Sequence, residues 1–429
     1  MAIDELAVTT GAPAVSRGRQ LVSASIGNMV EWFDWYAYST LAVYLSAQFF
    51  PKGDTSSLVP LLSTLAVFAV GFVARPLGGL VIGVLADRVG RRRALGGTIL
   101  GMGAGSLLIA ASPTYAQVGV IAPLLLLVAR IVQGVSAGGE YAASSAFLIE
   151  SAPQRRRGLF SSFFYISATS ALLAAIGISA LLARTLDTGA MASWGWRIPF
   201  LIGAAGSVAG FWIRRHASET LNVKASGTER VGVFEVFRTH PKQALQLFWI
   251  TAAPAVIFYM WTSYLPTYAN ITVGFDLEDG LVVGTISLTV FLLLQPVFGA
   301  LSDRVGRKPL MLGFGLFFVV ATVPLLRSLQ GSAGSLLFVQ VTGLVALAGF
   351  TSISSAVVCE LFPTRLRTSG IGFSYALAVA LFGGTGPYLA TYLVDVGHPS
   401  AFGWYVAALA AISTLFYWRL PETAHRELR

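Results

Sequence analysis

The stretch Gly83-Val-Leu-Ala-Asp87-Arg-Val-Gly90-Arg-Arg-Arg93 is a dense charge cluster within a long apolar sequence. It recurs as Gly299-Ala-Leu-Ser-Asp303-Arg-Val-Gly306-Arg-Lys308, at an offset of half the 429-residue chain. A motif this short could recur by chance. The sequence around the two copies therefore decides whether the chain is duplicated.

A second pair of motifs supports the duplication. Glu150-Ser-Ala-Pro-Gln-Arg-Arg-Arg157 aligns with Glu360-Leu-Phe-Pro-Thr-Arg-Leu-Arg367, and Tyr165 and Tyr375 continue the alignment. Two matching motif pairs in the same order predict two homologous halves.

The composition is typical of a membrane protein. Charged residues make up 11% of the chain and hydrophobic residues 55%, whereas ordinary soluble domains carry about a quarter charged residues. Such a chain has too few polar side chains to cover a surface that faces water, so we expect its exterior to face lipid. The start of the chain lacks the pattern of a cleaved signal peptide.

Apolar runs of about twenty residues predict an all-α integral membrane protein with twelve transmembrane helices, six in each half. The predicted parts are an N-terminal tail, a first six-helix bundle, a linker, a second six-helix bundle and a C-terminal tail, at residues 1–20, 21–213, 214–243, 244–419 and 420–429. The linker has mixed charge, and we expect a short amphipathic helix near 231–237.

The basic residues indicate the orientation. Most of the 29 lysines and arginines fall in the tails, the linker and the even-to-odd loops, which lie on one side of the membrane if twelve helices cross it. By the positive-inside rule this side is the cytoplasm, and both termini lie there. The net charge of +9 therefore reflects topology, and we expect no nucleic-acid partner.

Two carboxylates stand inside the first predicted helix. At 100° per residue, Gly27, Glu31, Asp34 and Tyr38 share one face, with Asn28 beside it. An ionisable group inside the membrane is costly and is a functional candidate by default. Two like charges so close favour the retention of a proton, so any protons that move through this protein are expected to be carried by carboxylates.

The fourth helix carries the complementary charge. Arg130, Gly134 and Tyr141 lie on one stripe, with Gln133 and Glu140 next to it. The glycine allows close helix contact, and the arginine can pair with a carboxylate or an anionic ligand.

These charged residues also have structural interpretations. Glu31 and Asp34 could form an ion network with the intramembrane arginines, and Glu140 could make a hydrogen bond at a helix interface. Arg75, directly before Pro76, could pair locally at a helix end. Arg197, in Trp194-Gly-Trp-Arg-Ile-Pro-Phe200, could be an interfacial anchor. The tyrosines of the seventh helix, Tyr259 and Tyr264 among them, could be core or interfacial aromatics.

The motifs resemble those of a known family. The duplicated Gly83 stretch is similar to the loop 2–3 motif of the major facilitator superfamily, and Arg130-x-x-Gln-Gly134 is similar to its fourth-helix motif. Gly27-Asn-Met-Val-Glu31-Trp-Phe-Asp34 and Arg75-Pro-Leu-Gly-Gly79 resemble the metabolite:H+ symporter family. Within that family the chain is most similar to bacterial permeases of 2-oxoglutarate.

The resemblance implies two pseudo-symmetric six-helix bundles that rock about a central site in the bacterial inner membrane. Glu31, Asp34 and Glu140 become candidates for proton coupling. The candidates for substrate binding are Asn28, Tyr38, Arg75, Arg130, Gln133, Tyr165, Arg197, Tyr259, Tyr264 and Tyr375.

The duplicated motif is expected to form a cytoplasmic gate. Its residues are Gly83, Asp87, Arg88, Gly90, Arg91, Gly299, Asp303, Arg304 and Arg307. The resemblance places Asp87 near the start of the eleventh helix, Thr368-Ser-Gly370. By pseudo-symmetry, Asp303 faces the start of the fifth helix, after Arg157.

The predicted function is proton-coupled uptake of a small carboxylate, 2-oxoglutarate or a related dicarboxylate, by alternating access. Symport of shikimate, citrate, proline or betaine is the nearest alternative, and proton-driven drug efflux is a more distant one. We expect a functional monomer in the lipid bilayer, with no cofactor, no metal and no enzymatic activity.

Overall fold

A computed structural model describes residues 17–51, 57–89, 91–138, 140–216, 238–363, 367–424, 426 and 428. The side chains of residues 17–27, 80, 81, 83–89, 91–95, 143, 213–216, 368 and 369 lie outside this description. So does most of the predicted linker, including the amphipathic helix expected near 231–237. Within the described part the chain is helical, without strands.

Six long helices form the first half: α1 Arg17–Thr40, α2 Val59–Val89, α3 Arg91–Ala111, α4 Ile121–Ala137 continued by Glu140–Glu150, α5 Arg157–Thr185 and α6 Ile198–His216. Six more form the second half: α7 Pro241–Val273, α8 Leu277–Val305, α9 Lys308–Arg327, α10 Ala333–Thr351 continued by Ser354–Leu361, α11 Arg367–Asp395 and α12 Pro399–Arg419.

Among the described residues, nine helices are long and apolar enough to cross a membrane. In α3 the described apolar stretch is the shorter Gly96–Ala111. The all-α membrane fold is confirmed.

Local sequence explains several helix ends. Asp276 caps α8 because its carboxylate accepts hydrogen bonds from the N–H groups of Glu278 and Asp279, at 2.8 and 3.1 Å. At the other end, α8 stops at Gly306, whose positive φ of 98° few other residues adopt. Two helices contain π-helical turns, Met260–Tyr264 in α7 and Val379–Gly383 in α11.

Glycines bring α2 and α4 into backbone contact. A Cβ atom on Gly134 would lie 2.1 Å from the carbonyl oxygen of Gly71, and one on Gly138 would lie 2.2 Å from that of Arg75. The small residues expected to permit close packing on α4 therefore do so, and they set Arg75 and Arg130 on neighbouring helices.

The two halves meet along a pseudo-twofold axis. Ser145 and Ser355, which are 210 positions apart, form a hydrogen bond of 3.1 Å. This separation equals the offset of the second motif pair, so the axis passes between equivalent residues of α4 and α10. On the interface of α5 with α8, Gly158 and Gly299 allow the backbones to approach.

We call the end of the molecule that carries Arg157, Asp303, Arg307, Glu360 and Arg367 the basic end. The sequence predicts that this end faces the cytoplasm.

The α2–α4 contact can be tested with Gly134→Ala. The new Cβ cannot fit against Gly71, so the helices must separate, at a cost of about 1–3 kcal/mol. We expect a lower thermal unfolding midpoint for the purified protein in detergent. Gly177→Ala on α5 is the control, because a Cβ there meets nothing within 4 Å. Equal midpoints for the two variants would contradict this packing.

Candidate functional site

Two buried arginines flank one tryptophan in the first half. The guanidinium carbons of Arg75 on α2 and Arg130 on α4 each lie 4.0 Å from a ring centroid of Trp35 on α1. Arg75 also lies over Phe72 at 4.5 Å and Arg130 over Tyr38 at 4.4 Å. The negative ring faces stabilise the two cations in an interior that has little water.

Hydrogen bonding satisfies these arginines only in part. Arg130 donates through Nη1 to Gln133 at 2.7 Å, and Gln133 donates to Ser106 of α3 at 2.8 Å. The Nε and Nη2 atoms of both Arg75 and Arg130 have no hydrogen-bond partner among the described residues. The site therefore contains unused donors that suit a carboxylate.

The two carboxylates of α1 lie in different surroundings. Asp34 has no solvent exposure, and its carboxylate lies against the backbone of Gly203 on α6. By hydrogen-bond geometry neither of its oxygens has a partner in the described structure, although Ser106 and Arg130 are both near enough to interact with the carboxylate. Glu31 is buried on the same helix and interacts electrostatically with Tyr259 of the second half.

The two carboxylates therefore lie in different parts of the molecule. Asp34 is enclosed by the first bundle, while Glu31 lies beside the interface between the halves. The helical periodicity of α1 did not predict this separation. Periodicity shows which side chains share a face of the helix, but it does not show which other helices pack against that face.

Aromatic side chains enclose a small cavity between the halves, of about 20 Å³. Its lining includes Trp32, Tyr141, Tyr165, Phe258, Tyr259 and Tyr375. Tyr141 and Tyr375 stack across the interface with ring centroids 3.6 Å apart. The cavity holds a water molecule or so, so a metabolite enters only when the halves move apart.

Asn28 acts on this cavity through Trp32. Its side-chain amide donates to Ser167 at 2.7 Å and to the carbonyl oxygen of Phe164 at 3.1 Å, both on α5. Its oxygen accepts a hydrogen bond from the indole N–H of Trp32 at 2.9 Å. Asn28 therefore ties α1 to α5 and orients a cavity-lining ring.

Several other predicted residues already have partners elsewhere. The guanidinium of Arg197 donates to the carbonyl oxygens of Ala110 and Ser112 at the end of α3. The hydroxyl of Tyr264 bonds to Thr391 within the second half, and that of Tyr38 donates to the carbonyl oxygen of Thr64. Glu140 is buried on α4.

At the basic end, Asp303 joins the two halves. Its carboxylate accepts hydrogen bonds from the N–H groups of Gly158 and Leu159, at 2.8 and 2.9 Å, in the first turn of α5. A helix N-terminus favours a negative charge. Arg307 holds the same carboxylate at 2.9 Å. The expected contact of Asp303 with the start of the fifth helix is confirmed.

Further ion pairs surround this contact. Arg367 of the second half pairs with Glu150 of the first at 2.5 Å. Arg307 lies 3.6 Å from Glu360, the counterpart of Glu150. Arg307 belongs to the motif that was expected to form the gate. Glu150, Glu360 and Arg367 belong to the second motif pair, for which the sequence argument predicted no ion pairs.

The C-terminal tail adds contacts that the sequence did not suggest. Glu422 accepts hydrogen bonds from the N–H groups of Arg307 and Lys308, at 2.9 and 3.0 Å, where α9 begins. Partial burial would raise the pKa of Glu422, but these and other backbone hydrogen bonds lower it below its usual value. Further along, the carbonyl oxygen of Arg426 accepts from Arg157 on α5 at 2.6 Å.

The first copy of the motif cannot be compared in this way. The side chains of Gly83, Asp87, Arg88 and Arg91, and the whole of Gly90, lie outside the described residues. The predicted contact of Asp87 with the start of α11 lies there too. Of the second copy, Arg304 is exposed and takes no part in the contact made by Asp303.

Sequence comparison defines the class of protein. Residues 24–293 and 279–429 match the Major Facilitator Superfamily, and the chain belongs to this family. It is a multi-pass membrane transporter and not an enzyme.

Individual members of the family show how similar the chain is to known transporters. The chain is 38% identical to the alpha-ketoglutarate permease of Escherichia coli K12, over 92% of this chain and 91% of the relative. It is 30% identical to a proline/betaine transporter of Salmonella typhimurium, over 96% and 85%. The structure of the proton:xylose symporter XylE bound to 6-bromo-6-deoxy-D-glucose superposes with a TM-score of 0.77 at 17% identity, covering 96% of this chain and 97% of that one.

The contact made by Asp303 can be tested with the single cysteine of the chain. Cys359 is buried on α10 and interacts electrostatically with Glu150 of the first half, so its thiol reports on opening of the basic end. Asp303→Asn removes the charge that binds α5 and Arg307, worth about 1–2 kcal/mol. We expect a water-soluble maleimide to label Cys359 roughly 5- to 30-fold faster in this variant.

Asp276→Asn is the matched control. It changes the same residue type on the same helix, and Asp276 also binds helix N–H groups, but within one half. Equal labelling rates in Asp303→Asn and Asp276→Asn would contradict the role of Asp303 in joining the halves.

Proposed function

We propose that this transporter imports a small dicarboxylate, 2-oxoglutarate or a close relative, together with protons. The observation that carries the proposal is the pair of buried arginines with unused donors around Trp35. Each guanidinium can bind one carboxylate in bidentate fashion. The similarity to an alpha-ketoglutarate permease supports the same substrate class.

The spacing of the arginines suits one ligand with two carboxylates. Each guanidinium carbon lies 4.0 Å from a ring centroid of Trp35, so the two groups lie close to the same indole. Tyr259 lines the cavity and interacts electrostatically with Arg75. We infer that substrate enters past Tyr259, and that cavity opening and arginine binding are coupled.

The proton sites in this proposal are Asp34 and Glu31. Asp34 is buried without a hydrogen-bond partner among the described residues, an environment in which the neutral acid is favoured. Protonation weakens its attraction for Arg130 and leaves that guanidinium available to the substrate. Glu31, beside the interface, is the second candidate, and Glu140 is a third.

We further propose that the basic end faces the cytoplasm, with both termini there, in the bacterial inner membrane. The distribution of arginines supports this orientation. The contacts at the basic end would then hold the cytoplasmic side closed. The transporter is proposed to act as a monomer of two six-helix bundles, residues 21–213 and 244–419, joined by the linker 214–243.

Proteoliposomes test proton coupling. With an acidic exterior, the wild-type protein should accumulate 2-oxoglutarate, and collapse of the pH gradient should abolish accumulation. Asp34→Asn should lose accumulation but retain some substrate exchange, and we expect the same of Glu31→Gln. Asp187→Asn, at an exposed helix cap, is the control. Normal accumulation in both α1 variants would place the proton site elsewhere.

Substitution of the arginines tests substrate binding. Arg75→Lys and Arg130→Lys keep the charge but lose the bidentate geometry, so apparent affinity for 2-oxoglutarate should fall roughly 10- to 100-fold, for a loss of about 1.5–3 kcal/mol. Arg184→Lys, which is exposed, should transport normally. Competition by proline or betaine but by no dicarboxylate would contradict the proposed substrate class and favour the zwitterions.

A further inference from the structure

An open crevice lies at the basic end, between the start of α5 and the end of α8. Its volume is about 700 Å³. It is lined by Gln154, Arg155, Arg156, Leu159, Ala300, Asp303 and Arg304. The crevice lies on the surface, apart from the central cavity and from the arginines around Trp35.

The three arginines of this crevice are unpaired. Arg155, Arg156 and Arg304 are exposed, and within the described residues none of their side chains makes a hydrogen bond or ion pair. Asp303 also lines the crevice, but its carboxylate is bound by two N–H groups of α5 and by Arg307. The crevice therefore offers positive charge without an internal counter-ion, and suits an anion.

The crevice adjoins a surface that faces lipid. Leu293, Val297, Leu301 and Val305 recur every four residues along α8, and their exposed fractions are 65, 58, 39 and 49%. In a membrane protein such an apolar stripe contacts acyl chains. It ends beside Arg304, so an anion held there lies where the headgroup of an adjacent lipid would lie.

We propose that this crevice binds the phosphate headgroup of an anionic phospholipid, with its acyl chains along the exposed stripe of α8. Arg155 and Arg156 belong to the first half and Arg304 to the second. One headgroup can engage both sides only while α5 and α8 are in contact. Bound anionic lipid therefore favours the state in which the basic end is closed.

Native mass spectrometry of the full-length protein, titrated with phosphatidylglycerol, measures this binding. Each arginine near a headgroup contributes about 1 kcal/mol, so Arg155→Gln/Arg304→Gln should weaken phosphatidylglycerol binding roughly 30-fold. Arg238→Gln/Arg419→Gln removes two exposed arginines of the same end, outside the crevice. This control should change binding less than about twofold, because neither residue lines the site.

The source of the phosphate is tested in the same experiment. Phosphatidylcholine should bind at least roughly tenfold more weakly than phosphatidylglycerol, since its headgroup has no net charge. Binding of glycerol phosphate as tight as that of phosphatidylglycerol would overturn the lipid assignment in favour of a soluble anion. Equal weakening by the two double variants would overturn the crevice as a specific site.

A second measurement tests whether bound lipid favours the state in which the basic end is closed. Phosphatidylglycerol should slow maleimide labelling of Cys359 in the wild-type protein and should not slow it in Arg155→Gln/Arg304→Gln. Equal slowing in both proteins would contradict the bridging of the halves by lipid. Both measurements are made without transport substrate, so their outcome is independent of the proposed substrate and proton sites.

Discussion

The structure depends on the burial of two guanidinium groups in an interior surrounded by lipid. A charged side chain inside a membrane costs several kcal/mol unless aromatic faces, hydrogen bonds or an opposite charge stabilise it. Trp35 supplies a ring to both Arg75 and Arg130, and Gln133 supplies one hydrogen bond. Close packing of α2 on α4 through Gly71 and Gly134 holds the two side chains beside that ring.

The unused hydrogen-bond donors of Arg75 and Arg130 connect the fold to transport. Fully paired arginines would have no capacity for a substrate, whereas isolated ones would destabilise the bundle. Asp34 gives an intermediate case, because its carboxylate lies near Arg130 and Ser106 but has no well-formed hydrogen bond within the described structure. A proton on Asp34 and an anion on the arginines would then neutralise the site together, which is the physical basis we propose for symport.

In the proposed alternating-access cycle, the contacts at the basic end would supply the second requirement, a closed side that can open. Asp303, Glu150 and Arg367 cross between the halves, and each uses a charge at a helix end or in an ion pair. Glu150 is 47% exposed, whereas Arg367 and Asp303 are almost fully buried. Because these contacts involve only helix ends, they can be exchanged for other contacts without unfolding either bundle.

Hydropathy predicted the twelve helices, because these follow from the period and length of the apolar segments. The contact of Asp303 with α5 was predicted from the family resemblance together with the symmetry of the duplicated motifs. Symmetry also paired Glu150 with Glu360, although their ion pairs were not anticipated. The different surroundings of Asp34 and Glu31 depend on which helices pack against α1, and the periodicity of the sequence does not contain this information. The tail contact of Glu422 joins residues distant in sequence, and no local pattern indicates it.

The central claim is that dicarboxylate binding at the arginines is linked to protonation of Asp34. Calorimetric titration of 2-oxoglutarate into the purified protein, in buffers of different ionisation enthalpy, measures the protons exchanged on binding. The account predicts net proton uptake by the wild-type protein and its loss in Asp34→Asn, with binding retained. Tight binding without proton uptake at any pH near neutrality, or unchanged uptake in Asp34→Asn, would contradict it.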